Sequence, residues 1–226
     1  MIITRTPLRI SFAGGGSDLK EYYQKFGGSV LSTSINKFIY LSAVKNFKKN
    51  EILLKYSNTE RVYDVKNIKH NIIRECLKYY NINNIDLNSS ADLPSGTGLG
   101  SSSAFTSGLI LLLNTLKCSV VNKKHIASKA CEIEIEILNH PIGKQDQYAT
   151  TFGGLNFIKF NMNGSVDLEK INLKSEIKKQ LDKRLLLFYL GTTRNANNIL
   201  EEQKKNSIRN KNNINSLHAI VRLSEL

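Results

Sequence analysis

The sequence predicts a mixed α/β protein, a sheet with helices laid on it in an α+β two-layer arrangement, and three observations carry that expectation. The opening is β-rich: Leu8, Ile10 and Phe12 alternate with Arg9 and Ser11, the period of a half-buried strand. Apolar residues then recur at helical spacing, at Ile72, Ile73, Cys76, Leu77 and Tyr80 and again at Ile126, Ala130, Ile133 and Ile137. Third, a glycine-serine loop from Pro94 to Ser103 sits between an expected strand and the start of an apolar helix.

In chain order, a first strand over residues 8–12 stops at Gly14, Gly15 and Gly16. Ser17 and Asp18 suit the cap of a short helix through Tyr22 and Tyr23, because their side-chain oxygens accept from free backbone amides. Strands follow over residues 29–35, 38–44, 51–56 and 61–65. A helix over 69–80 leads to a strand through Ile85, Leu87 and Ser89, then come the loop 92–100, a helix over 101–116 and a helix over 123–138. Strands are expected at 155–160 and 184–190, the latter nearly all apolar and so suited to the centre of a sheet. Residues 161–183 are polar and weakly patterned, and 195–226 read as two helices around a Lys- and Asn-rich connection with no later strand to cover. The expected division is one domain over 1–185 and the start of a second, incomplete one over 186–226.

Composition bounds the function. Hydrophobic residues at 41% and charged residues at 23% match ordinary globular proteins rather than disordered chains. The longest apolar stretch, around Leu109 to Leu113, is too short to span a bilayer, and no secretory leader pattern follows Met1, so a cytoplasmic protein without a membrane partner is expected. Cys76, Cys118 and Cys131 have no second Cys or His at metal-ligand spacing and read as reduced core residues. A net charge of +13 attracts anions, yet the lysines are scattered and no stretch interleaves aromatic with basic residues, so a solvated basic surface is favoured over a nucleic-acid site.

The loop is the most specific feature. Gly96, Gly98 and Gly100 alternate with Thr97 and Leu99, so the backbone can take positive φ and approach a ligand closely. Ser101, Ser102 and Ser103 then open a helix whose free N–H groups and dipole favour an anion. A flexible linker is the competing reading, but linkers do not run straight into a helix as apolar as residues 105–116. No Lys follows the last glycine, so this is not the common nucleotide P-loop.

Instead, Pro94 followed by the loop ending Gly98-Leu99-Gly100-Ser101-Ser102 resembles the second motif of the GHMP kinase superfamily, and Pro7-Leu8-Arg9 with Gly14 to Asp18 resembles its first. The resemblance implies the GHMP kinase N-terminal domain, similar to the second domain of ribosomal protein S5, followed here by a partial C-terminal domain. It implies ATP and Mg²⁺ as cofactors, with Pro94, Gly96, Thr97, Gly98, Leu99, Gly100, Ser101, Ser102 and Ser103 as nucleotide contacts and Ser102 and Glu134 as metal ligands. It also implies a catalytic Asp146, in a loop after the Glu134 helix, paired with Arg9. From residues alone, Arg9 reads equally as an edge salt bridge. Glu132 and Glu136 lie about 200° around a helix from Glu134, so only one of the three acids need face the site.

The segment 5–19, with Gly143 to Tyr148 and Phe152 to Asn156, is similar to D-glycero-D-manno-heptose 7-phosphate kinases, over the chain to about Leu200. That similarity implies phosphorylation of the anomeric hydroxyl to give the 1,7-bisphosphate for GDP-heptose and surface polysaccharide. Gly15, Gly16, Ser17, Asp18 and Gln147 would meet the sugar, and Arg194 its distal phosphate, although a solvated arginine at a helix start fits Arg194 as well. Fucokinases share the glycine turn and are the nearest alternative. A catalytically silent sugar or nucleotide sensor and, from the charge, a nucleic-acid-binding sheet are the other readings. The third, glycine-rich motif of the superfamily has no counterpart after Leu190, so poor turnover by the chain as given is expected. Oligomeric state is not legible in the sequence.

Overall fold

The structure, a computed structural model, describes residues 1–188, 191 and 211–225. Its organising element is the 17-residue strand β2 (Gly28–Val44), which pairs antiparallel with β1 (Ile2–Ala13). The other edge of β2 is shared, residues 39–44 pairing with β5 (Ile85–Ala91) and residues 28–33 with β6 (Leu155–Phe160). Beyond β5 lie β3 (Ile52–Lys55), parallel to it, and β4 (Thr59–Val62), and β7 (Val166–Lys170) flanks β6. The sheet is therefore seven-stranded in the order β4-β3-β5-β2-β6-β7, with β1 on β2.

Two strands were expected where β2 is continuous. The polar interruption at Asn36 and Lys37 is absorbed as a bulge: Ser34 pairs with Arg9 and Phe38 with Pro7, so Ile35, Asn36 and Lys37 face the single residue Leu8. A bulge bends the strand and re-aims its side chains, and Arg9 is the first residue beyond it.

Helices α1 (Lys20–Phe26), α2 (Asn71–Tyr80), α3 (Ser101–Leu116), α4 (Lys123–Cys131), α5 (Gln145–Phe152), α6 (Ser175–Arg184) and α7 (Lys211–Glu225) complete the described residues, with a 3₁₀ turn at Val65–Asn67. Ile72, Ile73, Cys76 and Leu77 of α2 and Leu109, Leu112 and Leu113 of α3 close over Leu41, Ile52, Leu54, Ile85 and Leu87 of the sheet. Each such buried aliphatic contributes about 1.5–3 kcal/mol. A second cluster sets Val30, Ile158 and Phe160 under Ala127 and Cys131 of α4 and Tyr148 and Ala149 of α5. Side chains alternate along a strand, so Ser29 faces away from that cluster, and there its Oγ meets Ser224 Oγ of α7 at 2.7 Å.

Several expectations are corrected. Helix α1 begins at Lys20 with Leu19 at its N-cap and no side-chain cap, because Ser17 Oγ is engaged with the backbone of Ser29. The helix expected over 123–138 changes at Cys131 into a π-helical turn, Glu132–Ile137, in which Leu138 N bonds Ile133 O at 3.0 Å. Its alternating Glu-Ile sequence has period two and does not sustain a 3.6-residue stripe. The weakly patterned stretch 161–183 contains β7 and α6. The strand expected over 184–190 does not form at its described positions: Arg184 ends α6, and Leu185, Leu186, Leu187 and Phe188 are exposed outside any strand. A short apolar run fits a strand by length, but it needs a neighbouring edge, and among the described residues none pairs with it. Residues 189 and 190 lie outside the described residues, as does the first of the two helices expected after 195, whereas α7 falls in the second. Cys76 and Cys131 are buried free thiols, but Cys118 is exposed, in a left-handed turn with φ 53° that no core position would require. No helix among the described residues is long and apolar enough to cross a membrane.

Candidate active site

Beyond the bulge of β2, Arg9 of β1 joins three segments. Its Nε donates to Asp146 Oδ1 at 2.7 Å, with Nη2 2.6 Å from the same oxygen, and its Nη1 donates to Gly98 O at 2.8 Å. Its backbone N–H donates to Leu99 O at 3.0 Å, so strand, glycine loop and acid are fastened at one residue. A guanidinium fork can bridge an anion and a carbonyl in this way, where an ammonium presents a single point. The Arg9–Asp146 pair expected from sequence is therefore present, but Asp146 lies in the first turn of α5 rather than in a loop. Its other oxygen, Oδ2, makes no hydrogen bond among the described residues and faces Gly100, where an added Cβ would stand 3.3 Å from it.

Gly96, Gly98 and Gly100 all adopt left-handed backbone, with φ of 78°, 74° and 74°. This is the conformation anticipated from their alternate spacing, and it costs an L-residue with a Cβ roughly 1–2 kcal/mol. Gly100 is the N-cap of α3, and no side chain caps that helix. The first-turn N–H groups at the positive end of this 16-residue helix are suited to an anion, while the Ser102 and Ser103 hydroxyls bond Glu134.

Below the loop, Ser102 Oγ donates to Glu134 Oε1 at 2.7 Å, which brings the two expected metal ligands together. Glu134 is fully buried on the π-helical turn, and burial pushes its carboxyl above the usual range against the pull of the Ser102 and Gln147 hydrogen bonds. Such turns are frequent at functional sites, since the extra residue re-aims side chains. Glu136 is exposed and Glu132 is bound to Lys129, so of the three acids only Glu134 faces the site. A hydroxyl and a carboxylate side by side, next to an anion site, suit a hard cation such as Mg²⁺, which takes one or two protein oxygens and completes its shell with phosphate and water. Among the described residues there is no group of three or more His, Cys, Asp and Glu that could hold a metal ion.

The glycine turn lies against the start of α5. Asp18 is buried, its Oδ1 accepting from Gly16 N at 3.1 Å and its Oδ2 from Gln145 N at 3.1 Å. Burial above all, with the Asp146 carboxylate adding to it, pushes the Asp18 carboxyl up to about 6, against the opposing pull of the Gln145 N–H and Arg9. Gly143 must lack a Cβ, because one would overlap the Asp18 carboxyl group. Gly15, by contrast, has open space where its Cβ would be.

Of the remaining expected contacts, Gln147 is fully buried and turned inward, its Nε2 donating to Glu134 Oε2 at 2.9 Å, and Arg194 lies outside the described residues. Sequence reasoning missed Ser11, whose hydroxyl donates to Gln145 Oε1 at 3.0 Å, and the fit of Gly143 to Asp18. The outward place of Ser11 in the strand alternation was the available signal for the first. Nothing local announces the second, since the two residues meet only through the fold.

Comparison with known proteins follows the same lines. Residues 66–154 match the family model of the GHMP kinases N terminal domain. The chain is 33% identical, over 97% of its length and 68% of the relative, to a D-glycero-alpha-D-manno-heptose 7-phosphate kinase of Campylobacter jejuni. A galactokinase of Pyrococcus furiosus is 24% identical over 85% of this chain and 54% of its own. Among solved structures, a D-glycero-D-manno-heptose 1-phosphate kinase from B. thetaiotaomicron shares the fold with a TM-score of 0.78 at 23% identity, covering 97% of this chain and 76% of that one.

Proposed function

The chain belongs to the GHMP kinases, and on that footing we propose that it transfers the γ-phosphoryl group of ATP to the anomeric hydroxyl of a heptose 7-phosphate. One observation carries the mechanism: Asp146 has one oxygen clamped by Arg9 and the other, without a hydrogen bond among the described residues, beside Gly100 of the phosphate loop. The nucleotide phosphates lie along the uncapped start of α3, held by backbone N–H groups. Asp146 Oδ2 accepts the proton of the attacking hydroxyl, the new O–P bond forms in line as the bond to ADP breaks, and ADP departs. Arg9 holds Asp146 in place and offsets negative charge where it develops. Ser102 and Glu134 would hold Mg²⁺, and when bound the ion neutralises charge on the transferring phosphate. Positioning by fixed groups supplies most of the acceleration in this chemistry, so the rigidity of the Arg9 junction is functional.

The sugar is assigned from the 33% identical relative and from the glycine turn held against α5 by Asp18. The product is then a 1,7-bisphosphate, a precursor for an activated heptose. The test is ADP release with D-glycero-D-manno-heptose 7-phosphate, the same heptose without phosphate, L-fucose and D-galactose. The expected outcome is the highest kcat/KM for the heptose 7-phosphate. A higher value for an unphosphorylated sugar would overturn the assignment.

A further inference from the structure

Gln147 is buried at 0% exposure and donates through Nε2 to Glu134 Oε2 at 2.9 Å, while Ser102 Oγ occupies Glu134 Oε1 at 2.7 Å. Its own Oε1 is buried and has no hydrogen-bond partner among the described residues. A buried amide with an unpaired oxygen destabilises a fold by about 1–3 kcal/mol, and a leucine or methionine would fill the same space without that penalty. Packing therefore gives no account of an amide here, whereas donation to the carboxylate does. Gln147 also follows Asp146 directly, in the first turn of α5, so one turn of helix directs one residue at the Arg9 junction and the next at Glu134. Thr150 Oγ1 bonds Asp146 O at 2.7 Å and ties that turn down.

We infer that Gln147 is a positioning residue that fixes the Glu134 carboxylate from behind for a divalent cation, and that it does not contact the sugar. The inference rests on the reading of Ser102 and Glu134 as cation ligands. Partners behind a metal ligand orient it, and their loss typically lowers metal affinity or activity about 10–100-fold. The shared helix turn couples the two acids: a displacement of α5 that moves Asp146 also releases Glu134.

The test is calorimetric binding of ATP to the parent chain and to Gln147→Met, each with Mg²⁺ and with EDTA, alongside thermal unfolding and the KM for heptose 7-phosphate. The expected result is that Gln147→Met binds ATP about 10–100-fold more weakly with Mg²⁺, binds it as the parent does in EDTA, and keeps the parental sugar KM. On a Glu134→Gln background the same substitution should produce no further loss of the Mg²⁺ effect. Should Gln147→Met not fold, Gln147→Asn, which withdraws the amide by one methylene, carries the same expectation. Equal weakening with and without Mg²⁺, no weakening, or a rise confined to the sugar KM overturns the positioning role. A parent whose ATP affinity ignores Mg²⁺ overturns the assignment of the cation site itself, and the role of Gln147 with it.

Discussion

Replacing Arg9 with methionine keeps an apolar stem in place of the arginine's and removes the guanidinium that fastens Asp146 and Gly98, while the backbone bond to Leu99 stays. The arginine donates to Asp146 Oδ1 through Nε at 2.7 Å and to Gly98 O through Nη1 at 2.8 Å, and its side chain is 11% exposed. Hydrogen bonds to charged groups contribute about 1.5–3 kcal/mol each, and breaking one side of a buried ion pair costs about 3–5 kcal/mol. Asp146 is 24% exposed, so water partly replaces the lost partner, and the lower part of that range applies. We expect Arg9→Met to lose about 3 kcal/mol, which for a chain of this length lowers the Tm by roughly 6–12 °C. Turnover should fall about 10²–10³-fold, the usual consequence of removing a group that stabilises developing charge. Differential scanning calorimetry and ADP release measure the two effects, and a double-mutant cycle with Asp146→Asn isolates the coupling. A Tm within about 1 °C of the parent, together with normal turnover, would refute the view that Arg9 organises the site.

Two further outcomes follow from the same geometry. Gly98→Val places a branched residue at φ 74°, where a Cβ meets no atom within 4 Å, so the effect is purely one of backbone. ATP affinity in calorimetry should fall about tenfold, matching roughly 1–2 kcal/mol of strain, while adenosine affinity stays unchanged. Asp18 has its carboxyl raised from 3.8 to about 6, so its contribution to stability is full below pH 3.8 and is lost as pH rises through 6. The loss amounts to about 3 kcal/mol. The urea-unfolding free energy of the parent minus that of Asp18→Asn should therefore be larger at pH 4.5 than at pH 7, and a difference independent of pH would show that Asp18 is not held in the protonated-favouring site described.

Much of this was legible in the sequence where the signal is local. The alternation at Leu8 to Phe12, the stripe on α2 and the three glycines before α3 each follow from short-range geometry, and each element is present. What sequence missed depends on partners distant along the chain. The break expected near Asn36 became a bulge because Leu8, far back in the chain, sits opposite it. The apolar run Leu185 to Phe188 pairs with no strand among the described residues, which no property of the run itself reveals. The same contrast runs through the site. Ser102 with Glu134, and Arg9 with Asp146, were inferred by resemblance and are brought together. The inward turn of Gln147 and the backbone bonds of Asp18 could be seen only once α5 was placed against the glycine turn.

The central claim is that Asp146, through the oxygen that Arg9 does not hold, acts on the sugar hydroxyl in phosphoryl transfer from ATP. The measurement that tests it most directly is turnover of heptose 7-phosphate by Asp146→Asn beside the parent, with ³¹P NMR of the product and ATP affinity determined on the same preparations. The account predicts a second phosphate on the anomeric carbon in the parent reaction, a loss of turnover of about 10²–10⁴-fold in the variant, and little change in ATP affinity. Undiminished turnover by Asp146→Asn, or a product phosphorylated elsewhere on the sugar, would contradict it.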